Sequence, residues 1–367
     1  MDFLARRLAT QGVSDPHFRR PVDVVKSLGA VQAQDYLGAL WAIGLRMAKG
    51  TEADVERAIA NRSIVRSWPM RRTLHFVAAA DLRWMLALLG PRSMRLLEKW
   101  LKDHFSIDAA VLRASRKAAI AALRDGRCLT RDVLYQRFDD AGIETADGRG
   151  LHLVWALANE GLLCFAAREG KQQAFTLLEE WLPDTHVLPR DEALATLAHR
   201  YFSGHGPATH RDFAWWSGLT AADAKRGLEA AQPGLKLEAG SWMLASDDSS
   251  LKRPASSRVV LLPAWDEYTV GYADRSALVD AAHLRKLDPR YGVLNAVMVR
   301  DGRVFGSWKR VIRPGQVLIK PEPFARLVKA EQKALGPAIR RYGVFLGLPA
   351  AVASSRGLRA RSRQTRP

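Results

Sequence analysis

Three times along this 367-residue chain, helical periodicity broken by turn signals gives way to two short alternating segments around a tight connection. That order predicts a winged helix each time, and it constrains the fold more than any single motif does. The middle copy is the clearest. Its first helix is read over 112–126 and its second over 129–142, with Thr130 as N-cap and Gly142 as stop. A third helix over 147–161 ends at Gly161, and 162–178 alternates as a hairpin around Glu169-Gly170.

The next copy has helices over 190–206, 208–219 and 220–234, then a wing over 235–245 turning at Ala239-Gly240. The first copy is less regular. Residues 21–35 and 35–50 are helical by periodicity, Thr51 caps 51–61, and 63–77 reads as two strands around Pro69. From Arg258 the pattern changes to strand signals, with a turn at Asp301-Gly302 and an amphipathic helix over 323–347 to cover the sheet. The polar stretch 245–257 separates the two regimes.

The expected fold class is mainly α with β (α+β): three tandem winged-helix domains followed by a small C-terminal β domain, β-barrel-like on the resemblance given below. The boundaries are 1–105 for the first winged helix with trailing helices, 106–185 for the second and 186–250 for the third. The barrel-like domain and its closing helix take 251–350, and 351–367 is a basic tail expected to be disordered.

Lys and Arg number 56 against 38 Asp and Glu, a formal charge of +18, which points to a polyanionic partner, nucleic acid first. Five of the arginines lie in the last twelve residues, so the folded body carries the other +13. A compositional bias toward Arg and Ala is the competing explanation. No apolar run is long enough for a membrane span and no signal-peptide pattern opens the chain, so a cytoplasmic, nucleoid-associated monomer is expected. The two cysteines, Cys128 and Cys164, encode neither a disulfide framework nor a zinc site. No H-E-x-x-H or phosphate-loop motif occurs, so neither metal nor cofactor is expected.

Within the first copy, Arg62, Arg66, Arg71 and Arg72 fall inside eleven residues that contain no acid. A hairpin would project them against DNA phosphates, although a charged edge strand that discourages pairing has the same composition. Gln32 and Gln34 flank Ala33 in a strongly apolar run. Residues i and i+2 share a side in an extended segment but lie about 200° apart on a helix, so two amides meeting one substrate need irregular backbone or a helix end. Capping or bridging of neighbouring backbone is the plainer alternative.

The segments 29–46, 64–77, 261–276 and 297–310 resemble, in order and approximate spacing, the winged-helix DNA glycosylases of the AlkZ and YcaQ superfamily. The resemblance covers nearly the whole chain, and Gln32, Ala33 and Gln34 fit the Gln-apolar-Gln motif of the AlkZ type, where the YcaQ type ends in Asp. It implies three winged helices followed by a β-barrel, a double-stranded DNA partner carrying alkylated bases, and excision of alkylated purines, including those tied in interstrand crosslinks. It implies Gln32 and Gln34 as the catalytic pair.

The chemistry is consistent with neutral amides. An N7-alkylated purine already carries positive charge, so its glycosidic bond is weak. What is left is to stabilise an oxocarbenium-like sugar and hold a water, and an amide oxygen does both. Asp35 is an auxiliary candidate as water activator, against a plain role as a helix N-terminal acid. His75 is another, against a structural hydrogen bond. The acids Asp266 and Glu267, before Tyr268, either edge a pocket or bond the loop that turns the strand, the loop being favoured; Trp215, Trp216 and Trp308 either stack on bases or, the favoured reading, are at least half core. No lysine supports Schiff-base lyase chemistry, so a monofunctional hydrolase is expected. The rival reading is a non-catalytic DNA-binding protein, either a regulator or a factor that masks lesions.

Overall fold

The computed structural model of the protein describes residues 3–245, 258–288 and 290–353. Almost all of the polar boundary stretch, and the basic tail from residue 354, lie outside the described residues. In the first unit α1 (Phe3–Thr10) and α2 (Pro21–Leu28) precede the short strand β1 (Val31–Gln32). Helices α3 (Tyr36–Gly44) and α4 (Glu52–Ala60) follow, then the hairpin β2 (Ile64–Met70) and β3 (Thr73–Ala78), and the long α5 (Ala79–Phe105) leads away. A capping box starts α4, in which the Thr51 side chain accepts the Asp54 N–H while the Asp54 carboxylate accepts the Thr51 N–H.

Two local expectations are corrected here. The helix expected over 21–35 stops at Leu28, because Gly29 takes φ +75° and turns the chain into β1. Gln32 is therefore in a strand, not on a helix. The hairpin turns at Arg71-Arg72, with φ +51° and +60°, and not at Pro69. Pro69 falls where the β2–β3 register shifts between Ser67 and Met70, a place that tolerates a residue with no N–H to offer the ladder.

The second unit is α6 (Ala109–Leu123), β4 (Leu129–Thr130), α7 (Arg131–Asp140), α8 (Arg149–Asn159), β5 (Leu163–Phe165), β6 (Ala174–Leu177) and α9 (Leu178–Trp181). Thr130 occupies the N-cap position of α7, but its side chain makes no capping bond. The third unit is α10 (Arg190–His205), α11 (His210–Ser217), α12 (Ala221–Ala231), β7 (Leu235–Glu238) and β8 (Ser241–Leu244), turning at Ala239-Gly240 with φ +48° and +75°. Each hairpin also takes on a short partner from upstream: β1 on β3, β4 on β6, and a single bridge from Ala208 to Trp242. This third partner has too few residues to show alternation, and the sequence pattern did not reveal it.

The remaining elements are β9 (Val259–Leu262), α13 (Glu267–Val270), β10 (Val297–Arg300), β11 (Arg303–Arg313), β12 (Gln316–Pro323), α14 (Lys329–Leu346) and β13 (Ala350–Val352). They build a five-stranded sheet in the order β13-β12-β11-β10-β9, with α14 packed on it. Asp301-Gly302 makes the expected turn, with φ +50° and +84°. Strand β13 pairs parallel to β12, so the ordered sheet takes in the first residues of the segment assigned to the tail. Among the described residues no helix is long and apolar enough to cross a membrane.

Three apolar cores run through the described residues, and the first unit contributes to all of them. One joins α1–α4 to the C-terminal sheet and α14, a second joins β2, β3 and α5 to the third unit, and a third fills the second unit. Ala30 packs into the second core while Val31 and Ala33 pack into the first, and Trp68 reaches the third. The Gln32–Gln34 segment thus sits where the cores meet.

Candidate active site

Register places Val31 opposite Phe76 and Gln32 opposite His75. Ala33 continues it, donating its N–H to Leu74 O at 2.7 Å. The ladder then breaks. Leu74 N–H goes to the Gln34 side-chain oxygen at 3.0 Å, and Ala33 O is taken by Arg66 Nη2 at 2.8 Å. A backbone N–H can only donate, so the orientation of the Gln34 amide is settled: oxygen toward Leu74, with a second lone pair still available. Antiparallel pairs alternate between bonded and non-bonded, so Gln32, one step from the bonded Ala33, points its own N–H away from β3. That N–H donates to Glu267 Oε1 at 2.9 Å.

Directly opposed residues share a sheet face, so Gln32, His75 and Ser67 form one transverse row across β1, β3 and β2. His75 has no solvent exposure, and burial together with the Arg71 charge pulls its pKa down to about 3. The neutral ring donates from Nδ1 to Thr73 O at 2.9 Å and accepts Arg71 Nη2 at Nε2, 3.2 Å away. Gln32 is 9% exposed, whereas Gln34 is on the surface. The two amides are unequal in access.

Glu267 was expected to bond its own loop, and the structure corrects this. From α13 its carboxylate reaches across to the first and third units, accepting Gln32 N–H, Trp216 Nε1–H at 3.0 Å and His205 Nε2 at 3.3 Å. Burial pushes the carboxyl up, but the His205 hydrogen bond and the charges of His205 and Arg71 overcome it and hold the pKa at about 2. Asp266 does bond its loop, capping α13 through Tyr268 N–H at 2.9 Å. Asp266 also reaches beyond its loop, to Arg46 of the first unit, so both acids tie α13 to other parts of the chain, which no local signal shows.

Gln34 stands at the rim of a cavity of about 410 Å³, walled by Trp68, Trp100, Trp155, Leu151 and His152, with Arg72 at its edge. Trp155 Nε1 is buried there without a partner. An aromatic wall with a few polar groups is the usual make-up of a site for a planar ligand. Sequence reasoning named Gln34 and Arg72 but missed the apolar wall, because its side chains come from three separate elements, α5, α8 and the β2–β3 hairpin.

The other candidates divide. Asp35 is the N-cap residue of α3, makes no capping bond, and pairs with Arg310 at 3.2 Å. Arg72 is exposed at the hairpin tip, and Arg62 donates to Trp181 O and lies over its ring. Arg66 does not project with them. It is 7% exposed, donates to Ala33 O and Gln173 Oε1, and burial lowers its pKa to about 10. Arg71 is bonded to His75 and, with Arg275, lies over the ring of Trp215, which is 38% exposed. Trp216 and Trp308 are core, as expected. Among the described residues no group of three or more His, Cys, Asp or Glu is placed to hold a metal ion.

The Gln34 amide, held by Leu74 N–H, thus lines one cavity with three tryptophans and with Arg72 of the basic hairpin. A family profile described as DNA glycosylase AlkZ-like matches residues 25–345, and the chain belongs to that family. The protein is similar to the interstrand DNA cross-link repair glycosylase of Streptomyces sahachiroi, 27% identical over 339 residues that cover 88% of this chain and 91% of that one. The solved structure of Streptomyces sahachiroi DNA glycosylase AlkZ superposes with a TM-score of 0.77 at 25% identity, covering 96% of this chain and 98% of the other.

Proposed function

We propose that this glycosylase is monofunctional and hydrolyses the N-glycosidic bond of N7-alkylated, cationic purines in duplex DNA, including purines joined in interstrand crosslinks. The observation that carries the reading is the Gln34 amide, pinned by Leu74 N–H with one lone pair free at the rim of the aromatic cavity. The name of the Streptomyces sahachiroi relative, a cross-link repair glycosylase, supports the substrate class. We read the three helical units as winged helices and the C-terminal sheet with α14 as the barrel-like domain, acting as a monomer on DNA in the cytoplasm.

Chemistry follows from the substrate's charge. The departing base is already cationic and needs no strong acid. Gln34 offers its oxygen to a water or to the positive charge growing on the sugar, and Gln32 stands behind it in the same extended segment. Asp35, paired with Arg310, and His75, neutral and buried, act as neighbours that set the field and not as reacting groups. Arg62 and Arg72 face the phosphates, Arg71 is turned inward onto His75, and Arg66 holds the β1 end from inside.

The test is excision itself. Duplex containing N7-methylguanine is incubated with the protein and then heated in alkali to cleave abasic sites. Gln32→Ala and Gln34→Ala are each expected to lower excision while duplex binding persists. A wild-type protein that binds the duplex tightly and leaves no abasic sites ends the reading for that substrate.

A further inference from the structure

Gln32 ends a strand of two residues, β1, which has a partner on one side only, and Gln34 follows two positions on. Such a strand has little to hold it, since isolated short pairings are marginal in water. Its free edge faces α13 and is closed there by one acceptor, Glu267 Oε1. The other carboxylate oxygen is held by two donors from the third unit, His205 from α10 and Trp216 from α11. His205 is itself fixed by stacking on Tyr201, ring centroids 4.7 Å apart and planes 15° from parallel. Gly271, in the turn after α13, leaves room for this ring, because a Cβ there would lie 2.7 Å from it. All three members are fully buried.

We infer that Glu267 is a positioning residue of the glycosylase: its carboxylate, oriented by His205 and Trp216, sets the path of the Gln32 backbone and so the placement of both amides. The inference rests on the proposed role of the Gln32–Gln34 pair. It also gives the third unit and α13 a part in the active site that contact with DNA does not require. A buried ionised carboxylate suits this task because its hydrogen bonds are stronger than those of a neutral group and directional. A neutral Gln at 267 keeps one acceptor oxygen but turns an NH₂ toward either Gln32 N–H or the indole N–H, so one donor is left facing a donor.

Single-turnover release of N7-methylguanine, duplex Kd and urea unfolding are measured for wild type, Gln32→Ala, Glu267→Gln, their double variant and Trp216→Phe. Glu267→Gln is expected to slow excision about tenfold or more with Kd within about threefold of wild type, the split that marks loss of an interaction serving the transition state. The double variant is expected to be no slower than Gln32→Ala, because coupled residues do not add. Trp216→Phe removes one donor and is expected to slow excision less, again with Kd unchanged. It decides the question alone if Glu267→Gln does not fold. Folded Glu267→Gln or Trp216→Phe excising at the wild-type rate, rate and affinity lost in parallel, or fully additive losses in the double variant would each overturn the positioning role. Wild-type excision by Gln32→Ala instead removes the catalytic reading of Gln32 on which the inference stands.

Discussion

Arg46 and Asp266 form a two-pronged ion pair in which neither side chain has solvent exposure, Nη1 to Oδ2 and Nη2 to Oδ1 both 2.8 Å. Arg46 further donates to Ala42 O at 2.7 Å, Gln11 O at 3.0 Å and Gln11 Oε1 at 2.8 Å, so its donors are filled by the first unit and α13 together. Removing one partner strands the other charge in the interior. Asp266→Ala is expected to lower unfolding stability by about 3–5 kcal/mol, and a double replacement by apolar side chains to recover part of that loss. Urea unfolding measures both. A single-variant loss below about 1 kcal/mol, the range of exposed pairs, would contradict the account.

Acid should destabilise the protein in two overlapping windows. His75 has a folded pKa of about 3 against an ordinary 6.5, so between those values the unfolded chain binds more protons. Its contribution is complete above pH 6.5 and drains as pH falls toward 3; half-buried His152, also shifted down by burial, adds in the same direction. Glu267, depressed from 4.5 to about 2, contributes fully above pH 4.5 and loses its share as pH falls to 2. Stability against pH is therefore expected to decline gently below 6.5 and more steeply below 4.5. In His75→Asn the upper limb flattens, and an unchanged upper limb would assign it elsewhere.

Neighbouring arginines should behave as different kinds of residue. Arg72, exposed at the hairpin tip, is expected on replacement by Ala to weaken duplex binding and to reduce the salt slope by about 1. Arg66 is buried and bonded to Ala33 O, so Arg66→Ala is expected to lower stability and excision while leaving that slope alone. Binding titrations across a salt series separate them. Equal slopes for the two variants would show that burial does not divide their roles.

Two glycines test how the units are joined. A Cβ at Gly204 in α10 would overlap the Ser27 carbonyl oxygen of α2, a backbone atom that cannot step aside. Gly204→Ala is expected to cost roughly 1–3 kcal/mol by overpacking. Gly126 has φ +73° with nothing within 4 Å, so Gly126→Ala meets only backbone strain, about 1–2 kcal/mol. The distinguishing readout is excision. Only Gly204→Ala moves α10, and with it His205, away from β1.

Much of the local architecture was legible from residue order. The turns at Ala239-Gly240 and Asp301-Gly302 and the Thr51 cap follow from short-range chemistry and stand where the pattern places them, and the helix expected to end at Gly161 ends two residues earlier, with Gly161 at φ +77°. The misreadings have the same root. Gly29 sat inside a convincing 3.6-residue period, but its left-handed φ is demanded by a strand that only the hairpin partner makes worthwhile. Pro69 looked like a turn, yet the sheet absorbs it in a bulge and turns at two arginines instead.

The sequence by itself determined the order of helices and hairpins, the basic body and the Gln-Ala-Gln segment, since each is written in neighbouring residues. Only tertiary structure decided what that segment meets. It set Gln34 in the lining of the cavity, left Gln32 nearly buried, buried Arg66, and brought Glu267 across 235 positions to the Gln32 N–H. Those contacts depend on how three cores dock around one short strand, and no periodicity within any single element encodes that docking.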